Sequence, residues 1–270
     1  MTLLLGGAVA FADGETYAGL PRSAQPVEVL RNPGFAVGYS EARRQPLWVA
    51  FRAASVKDGH RLASRPGFEI DGRTRARVST FDYNGVRYDR GHLAPNYLIG
   101  RLYGREAQRA TFLMSNIAPQ RRRLNQLVWQ RLEEAEADVV APRAGELWVV
   151  TGPVFGAQPA LLKSGIALPD AFYRIWLDVR PGGAPAVLAF VVPQDVCGTE
   201  PLAQFLASVD QVEEATGVDF LHELEDAMEQ ALEAGRTTAG WGLWRFNQRP
   251  PRYAEKFDLE VCDASDVMAP

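Results

Sequence analysis

The stretch that decides the fold lies between residues 76 and 138, and its centre reads Asp89-Arg90-Gly91-His92-Leu93-Ala94-Pro95. Just upstream, residues 76–83 and 86–88 carry strand-forming side chains on either side of Asn84-Gly85. That dipeptide suits the positive-φ positions of a tight hairpin turn, so a hairpin is predicted there. Downstream, residues 111–114 form a short apolar run and read as a further strand. Pro119 then precedes residues 120–138, a run rich in helix formers. Within it Leu124, Leu127, Val128, Leu132 and Ala135 recur at helical spacing and mark a buried face. The stretch therefore predicts a strand hairpin followed by a long helix.

Working outward, Leu47-Trp48-Val49-Ala50-Phe51 is continuously apolar and reads as a buried strand. Residues 146–151 and 186–192 read as core strands. Residues 202–216 and 221–235 read as helices, the second closing at a C-cap glycine. Strands and helices alternate irregularly, which points to an α+β fold rather than a doubly wound sheet. No internal repeat and no low-complexity linker interrupts the chain. At 270 residues it can bury a sizeable core as one domain, taken as residues 13–270.

Residues 1–12, MTLLLGGAVAFA, are apolar and end in Ala10-Phe11-Ala12, an A-x-A-like cleavage pattern. They read either as the remnant of a secretory signal or as a first strand or tail. A basic start to such a signal is missing. The run is too short to span a membrane, and no other apolar run reaches about eighteen residues. Cys197 and Cys262 are the only cysteines, and they either bridge or stay as two buried thiols. With His60, His92 and His222 as the only histidines and no C-x-x-C or H-x-x-x-H pair, a dedicated structural zinc site is not expected. No G-x-S-x-G elbow surrounds Ser115, and no phosphate-binding P-loop is present.

The net charge is −4, which by itself argues against a nucleic-acid binder. Its distribution reverses that reading. Between Arg87 and Arg131 lie nine arginines (87, 90, 101, 105, 109, 121, 122, 123 and 131) against two acids, Asp89 and Glu106. Nine minus two leaves +7 in this stretch and −11 in the rest. A basic face of this kind captures a phosphate backbone, and arginine in place of lysine favours forked phosphate contacts. A solvated arginine-rich helix face is the alternative.

Asn125 falls early on the long helix and Glu133 eight residues later. In a regular α-helix they stand about 12 Å apart along the axis and about 80° around it, so they would not grip one ion together. Asn125 can offer its amide oxygen to a divalent cation, with Glu133 acting through a water or holding an arginine. Local backbone capping by Asn125 is the other reading.

Taken together, Asp89-Arg90-Gly91-His92-Leu93-Ala94-Pro95, Ser115-Asn116-Ile117-Ala118-Pro119-Gln120, Asn125, Trp129 and Glu133 resemble the DNA/RNA non-specific endonuclease family, the ββα-metal group that includes the endonuclease G-like enzymes. The resemblance extends from Asn32-Pro33-Gly34-Phe35 through Thr151-Gly152-Pro153-Val154-Phe155 to Phe190-Val191-Val192-Pro193. It implies a ββα-metal core within a mixed, mainly antiparallel sheet flanked by helices. It implies sugar-non-specific hydrolysis of DNA and RNA, recognised through backbone phosphates, and Mg2+ or Mn2+ as the metal. It also implies residue roles. His92 is the general base and Asn125 the metal's direct protein ligand. Arg90 and Asn116 contact phosphate or orient the histidine, Glu133 reaches the metal's water shell, and Arg65 stabilises the transition state. Asp89 reads as structural support. Rival readings are a binding module without catalysis and a hydrolase of other phosphodiesters on the same scaffold. Export to the periplasm or medium is expected, no membrane partner is, and an inhibitor protein is left open. His60 and His222 read as surface residues, Trp241, Trp244 and Phe246 as an aromatic closure of the core, and the acidic tail after Lys256 as peripheral.

Overall fold

The structure, a computed structural model, describes residues 16–62, 64–247, 250–260 and 262; the signal-like residues 1–12 lie outside them. In chain order the strands are β1 (Arg22–Ser23), β2 (Glu28–Asn32), β3 (Phe35–Ser40), β4 (Gln45–Ala53), β5 (Asp89–His92), β6 (Ile117–Gln120), β7 (Glu146–Val154), β8 (Ala171–Val179), β9 (Ala186–Pro193), β10 (Leu206–Ala207) and β11 (Val218–Asp219). The principal helices are α1 (Asn96–Ala110), α2 (Gln130–Ala135), α3 (Val209–Thr216) and α4 (Asp226–Glu233). Seven strands form one antiparallel sheet in the order β10-β9-β8-β7-β4-β3-β2, and β5 pairs with β6 as a separate two-stranded unit. The fold is α+β, as the sequence predicts.

The sheet is covered on both faces, which explains why β4 reads as an unbroken apolar run instead of an alternating one. One face carries Val49, Phe51, Phe172 and Trp176 against Leu124, Val128, Trp129 and Leu132 of the long helix. The other carries Trp48, Ala50, Tyr173 and Ile175 against Val209, Val212, Phe220 and Leu224. The predicted helix face is in place: Leu124, Leu127, Val128, Leu132 and Ala135 have no solvent exposure. The helix itself is irregular. Its first stretch, Leu124–Trp129, and its last, Glu136–Val140, are π-helical, and only α2 between them is a regular α-helix. Rotation angles derived for 3.6 residues per turn therefore do not apply between Asn125 and Glu133.

Several local expectations give way. No hairpin forms at Asn84-Gly85. Residues Thr80–Tyr83 wind into a 3₁₀ turn instead, closed by Asp82, whose Oδ2 accepts from the Ser79 amide at 2.8 Å and the Ser79 hydroxyl at 2.9 Å. Side-chain capping there outweighs strand propensity. The pairing that builds the ββ unit joins β5 to β6 across α1, a helix the sequence reading does not anticipate. Nor do residues 111–114 form a strand: they make a turn, with Leu113 in an isolated bridge to Glu69 and Met114–Asn116 in a 3₁₀ helix. The helix expected over 202–216 begins only at Val209, because Ser208 and Gln211 form a reciprocal capping box. The helix expected over 221–235 is limited to α4. Trp241 joins the core, but Trp244 is exposed.

The described part of the tail after Lys256, residues 257–260 and 262, is not peripheral. Cys197 and Cys262 form a disulfide with a Cα–Cα distance of 5.0 Å. Before it, Phe257 lies under the Arg122 and Arg123 guanidiniums, and the Asp258 carbonyl accepts from Arg123 Nη2 at 2.9 Å. The bridge closes a loop of 65 residues. Constraining the unfolded chain over that length stabilises by about 4 kcal/mol. Reduction with dithiothreitol, or Cys262→Ser, is therefore expected to lower the melting temperature by roughly 8–16 °C for a chain of this size. An unchanged melting curve after reduction would show that the thiols are not bridged in solution.

Candidate active site

Antiparallel pairing sets Asp89 opposite Gln120 and His92 opposite Ile117. The fully buried Gln120 side chain fills the space over Gly91, where a Cβ would stand 2.1 Å from its Oε1, so the position favours glycine. His92 follows at the strand's end, packed against two aromatic rings. Its imidazole meets Phe112 edge-on at a centroid distance of 4.7 Å and Phe68 at 5.5 Å, and those rings lie 5.2 Å from each other. The same rings seat two arginines: the Arg90 guanidinium lies 4.8 Å over Phe68 and that of Arg65 lies 5.4 Å over Phe112. Arg65, Arg90 and His92 are thereby gathered about one aromatic pair.

This setting fixes the imidazole's protonation state. Burial lowers the His92 pKa to about 3, and the positive charge of Arg65 pushes the same way. The ring is a neutral base across the physiological range. Its Nε2 is shut off from solvent and has no hydrogen-bond partner.

Asn116 is completely buried, and its amide is consumed by backbone. Oδ1 accepts from the Ala94 amide at 2.9 Å, while Nδ2 donates to the carbonyls of Ala94 and Thr111 at 3.1 and 2.9 Å. Both amide protons are used, so Asn116 acts on the site by clamping the turn that follows His92.

Asn125 sits half-buried in the π-helical turn, a distortion that recurs at functional sites. Its Nδ2 donates to Asp89 Oδ2 at 2.9 Å, and Gln126 Nε2 donates to the same oxygen at 2.7 Å. Asp89 thus ties β5 to the helix and fixes which way the Asn125 amide faces. With its nitrogen held and no donor to Oδ1 among the described residues, Oδ1 is the atom left to present to a cation.

Glu133 lies further along the helix, next to a different charged group. Burial raises its pKa to about 8, Arg174 opposing and Glu136 and Glu134 adding to the rise. Arg174 and Glu136 form a fully buried ion pair: Nε and Nη2 of the arginine donate to the two carboxylate oxygens at 2.7 and 2.8 Å, and Trp176 Nε1 donates to Oε2 at 2.7 Å. A neutral amide oxygen held in place, and a carboxyl whose charge burial suppresses, are oxygen donors that suit a hard, oxygen-seeking divalent ion. The residues fit a metal.

The arginine-rich stretch is less uniformly available than its composition implies. Arg101 donates to the carbonyls of Val56 and His60, Arg123 to those of Cys197 and Asp258, and Arg131 to that of Glu200, while Arg109 pairs with Glu69. Arg87, Arg105 and Arg122 stay exposed. Two residues of the site, Phe68 and Phe112, escape sequence reasoning. Phe68 stands three positions after Arg65 in Ser64-Arg65-Pro66-Gly67-Phe68, a cue to its location but not to its partner. Phe112 reads as an ordinary core residue.

Comparison with known proteins agrees with this arrangement. Residues 16–227 match the model of the DNA/RNA non-specific endonuclease family. The chain belongs to that family. It is 29% identical over 211 residues to a nuclease of Nostoc sp., covering 74% of this chain and 75% of the relative. It is also 29% identical over 220 residues to mitochondrial endonuclease G of Bos taurus, covering 75% and 71%. Among solved structures, a crystal structure of the EndoG/EndoGI complex superposes with a TM-score of 0.65 at 19% identity, covering 78% of this chain and 90% of that one, which speaks for the fold. The protein is a metal-dependent nuclease acting on nucleic acids, and the ββα-metal architecture places β5, β6 and the long helix at its centre.

Proposed function

We propose that this DNA/RNA non-specific endonuclease hydrolyses phosphodiester bonds with His92 as general base and Asn125 as the direct protein ligand of a magnesium ion, for which manganese can substitute. The observation that carries the reading is the pairing of a neutral, aromatic-clamped imidazole with an asparagine whose amide nitrogen is held by Asp89.

Because Nε2 is enclosed, Nδ1 is the nitrogen that takes the proton from the attacking water. The oxygen of that water bonds to phosphorus as the bond to the 3′ oxygen breaks. Arg65 and Arg90, seated on Phe112 and Phe68, neutralise charge growing on the phosphoryl oxygens. When bound, a divalent ion supplies Lewis-acid polarisation of the phosphate and charge for the departing oxygen. Glu133 serves the cation's outer shell, and Asn116 keeps His92 aimed through the backbone. No base edge or 2′-hydroxyl is needed, in keeping with action on both DNA and RNA.

Digestion of supercoiled plasmid and of total RNA, each with magnesium or EDTA, tests the reading. Metal-dependent loss of both substrates is expected. Binding without cleavage would favour the inactive-module alternative. The metal assignment has its own test. Asn125→Ala is expected to raise the magnesium concentration for half-maximal activity by more than the 10–100-fold typical of losing an outer-shell partner, and Asp89→Ala, which frees the Asn125 amide, by about 10–100-fold. A magnesium titration unmoved by Asn125→Ala places the ligand elsewhere. We further propose export to the periplasm or medium, supported by the signal-like residues 1–12 and the disulfide. A protein inhibitor is also proposed, since the related fold occurs in an EndoG/EndoGI complex.

A further inference from the structure

On the face of the sheet opposite the long helix, α3 and the end of α4 bring Asp210, Glu213 and Glu233 together. One carboxylate oxygen of each lies within 4.8 Å of the others. Among the described residues no lysine or arginine pairs with any of the three. The nearby Arg236 donates instead to Gln211 Oε1. Glu213 is held in place by the Phe220 amide, which donates to its Oε1 at 2.8 Å. Glu233 is the telling member. It is only 7% exposed, and its Oε1 is buried without any hydrogen-bond partner. Glu233 thus brings a buried carboxyl oxygen that no donor among the described residues satisfies into a cluster of three carboxylates, and a bound cation would answer both the unsatisfied oxygen and the crowded acidic groups.

We infer that Asp210, Glu213 and Glu233 form a calcium-binding site that staples α3 to α4, separate from the nuclease metal. Calcium takes six to eight oxygen ligands at about 2.3–2.6 Å in a flexible geometry, and three carboxylate oxygens within 4.8 Å of one another can share such an ion. Magnesium demands a near-ideal octahedron, gives up water reluctantly and is usually held by one or two carboxylates, so three carboxylates on two separate helices suit calcium better. Asp210 is exposed, so water completes the shell from the solvent side. Asp210 and Glu213 sit on α3 and Glu233 ends α4, so the ion cross-links two short helices that rest on β9.

The test is thermal unfolding of the EDTA-treated protein against added CaCl2, with calorimetric titration for stoichiometry. Asn125→Ala serves as the background so that the nuclease centre does not contribute. Calcium at about ten times its Kd is expected to raise the melting temperature by roughly 3–5 °C. One ion should bind per chain. Glu233→Gln, which keeps the shape of the side chain, should abolish both effects in that background and, introduced alone into the otherwise unaltered chain, leave nuclease activity unchanged; the exposed Asp210→Asn should weaken binding in the same direction. No shift and no heat in the Asn125→Ala background up to about 10 mM calcium, tenfold above the weakest extracellular modules, would overturn the site and leave the carboxyls sharing protons. A calcium response that survives Glu233→Gln would equally overturn it.

Discussion

Alanine at position 92 is expected to lower kcat on plasmid DNA and on RNA by about 10²–10⁴-fold, the usual contribution of a positioned general base. KM should move little. The phosphate contacts assigned to Arg65 and Arg90 rest on Phe112 and Phe68, not on the imidazole, so both guanidiniums keep their seats when the ring is removed. The split matters because His92 also packs against those rings. A structural role alone would loosen both arginines and raise KM. Native melting, native DNA retention at low salt and a collapsed kcat together identify the base. Retained kcat in His92→Ala would remove the assignment.

The same site dictates a pH profile. The folded pKa of His92 is about 3 against the ordinary 6.5. Between those values the unfolded chain binds the proton and the folded one does not. This contribution to stability is therefore fully present above about pH 6.5 and is lost as pH falls towards 3. Activity behaves differently: the base stays neutral in the folded enzyme, so kcat/KM should show no acid limb at pH 6.5. A limb there that vanishes in His92→Ala would mean that solvent reaches the imidazole more freely than the aromatic clamp allows.

The parts of this molecule legible in the sequence are those whose cause is local. The apolar run of β4 and the helical spacing of Leu124, Leu127, Val128, Leu132 and Ala135 each state which face is covered, and each is found covered. The site residues were marked by motif and not by periodicity. What the sequence withheld depends on partners far along the chain. Asn84-Gly85 has the chemistry of a hairpin, but Ser79 and Asp82 close a 3₁₀ turn first. The true partner of β5 lies beyond α1, where no turn signal can point. The spacing of Asn125 and Glu133 was legible, whereas the π-helical ladder that alters its meaning was not. Phe68 and Phe112 become functional only because folding brings them to His92.

Removing Glu136 is expected to be the most destabilising single change in the chain. Its carboxylate and the Arg174 guanidinium are both without solvent exposure, with Trp176 Nε1 completing the arrangement. Arg174 lies 5.7 Å from the Phe51 ring and 5.4 Å from that of Trp129, so it links β4 and β8 to the π-helical turn that carries Asn125. Glu136→Ala strands that cation among apolar groups, with Nη1 already lacking a partner. Breaking a buried pair in this way costs about 3–5 kcal/mol. In a chain of this size that corresponds to a fall in melting temperature of roughly 6–20 °C. The decisive comparison is the double variant Glu136→Leu with Arg174→Met, which removes both charges and keeps the volume filled. If desolvation is the cause, the double variant should recover most of the loss, because apolar replacement of a whole buried pair is often neutral or better. A double variant as unstable as Glu136→Ala would mean that the hydrogen-bonded geometry, and not the unpaired charge, holds the helix to the sheet. Burial is what chiefly raises the Glu133 pKa, and the pair modulates it, Arg174 lowering it while Glu136 raises it. Arg174→Met alone should therefore keep Glu133 protonated to higher pH and raise the magnesium requirement near neutrality, whereas the double variant, having lost both opposing influences, should return towards the wild-type requirement.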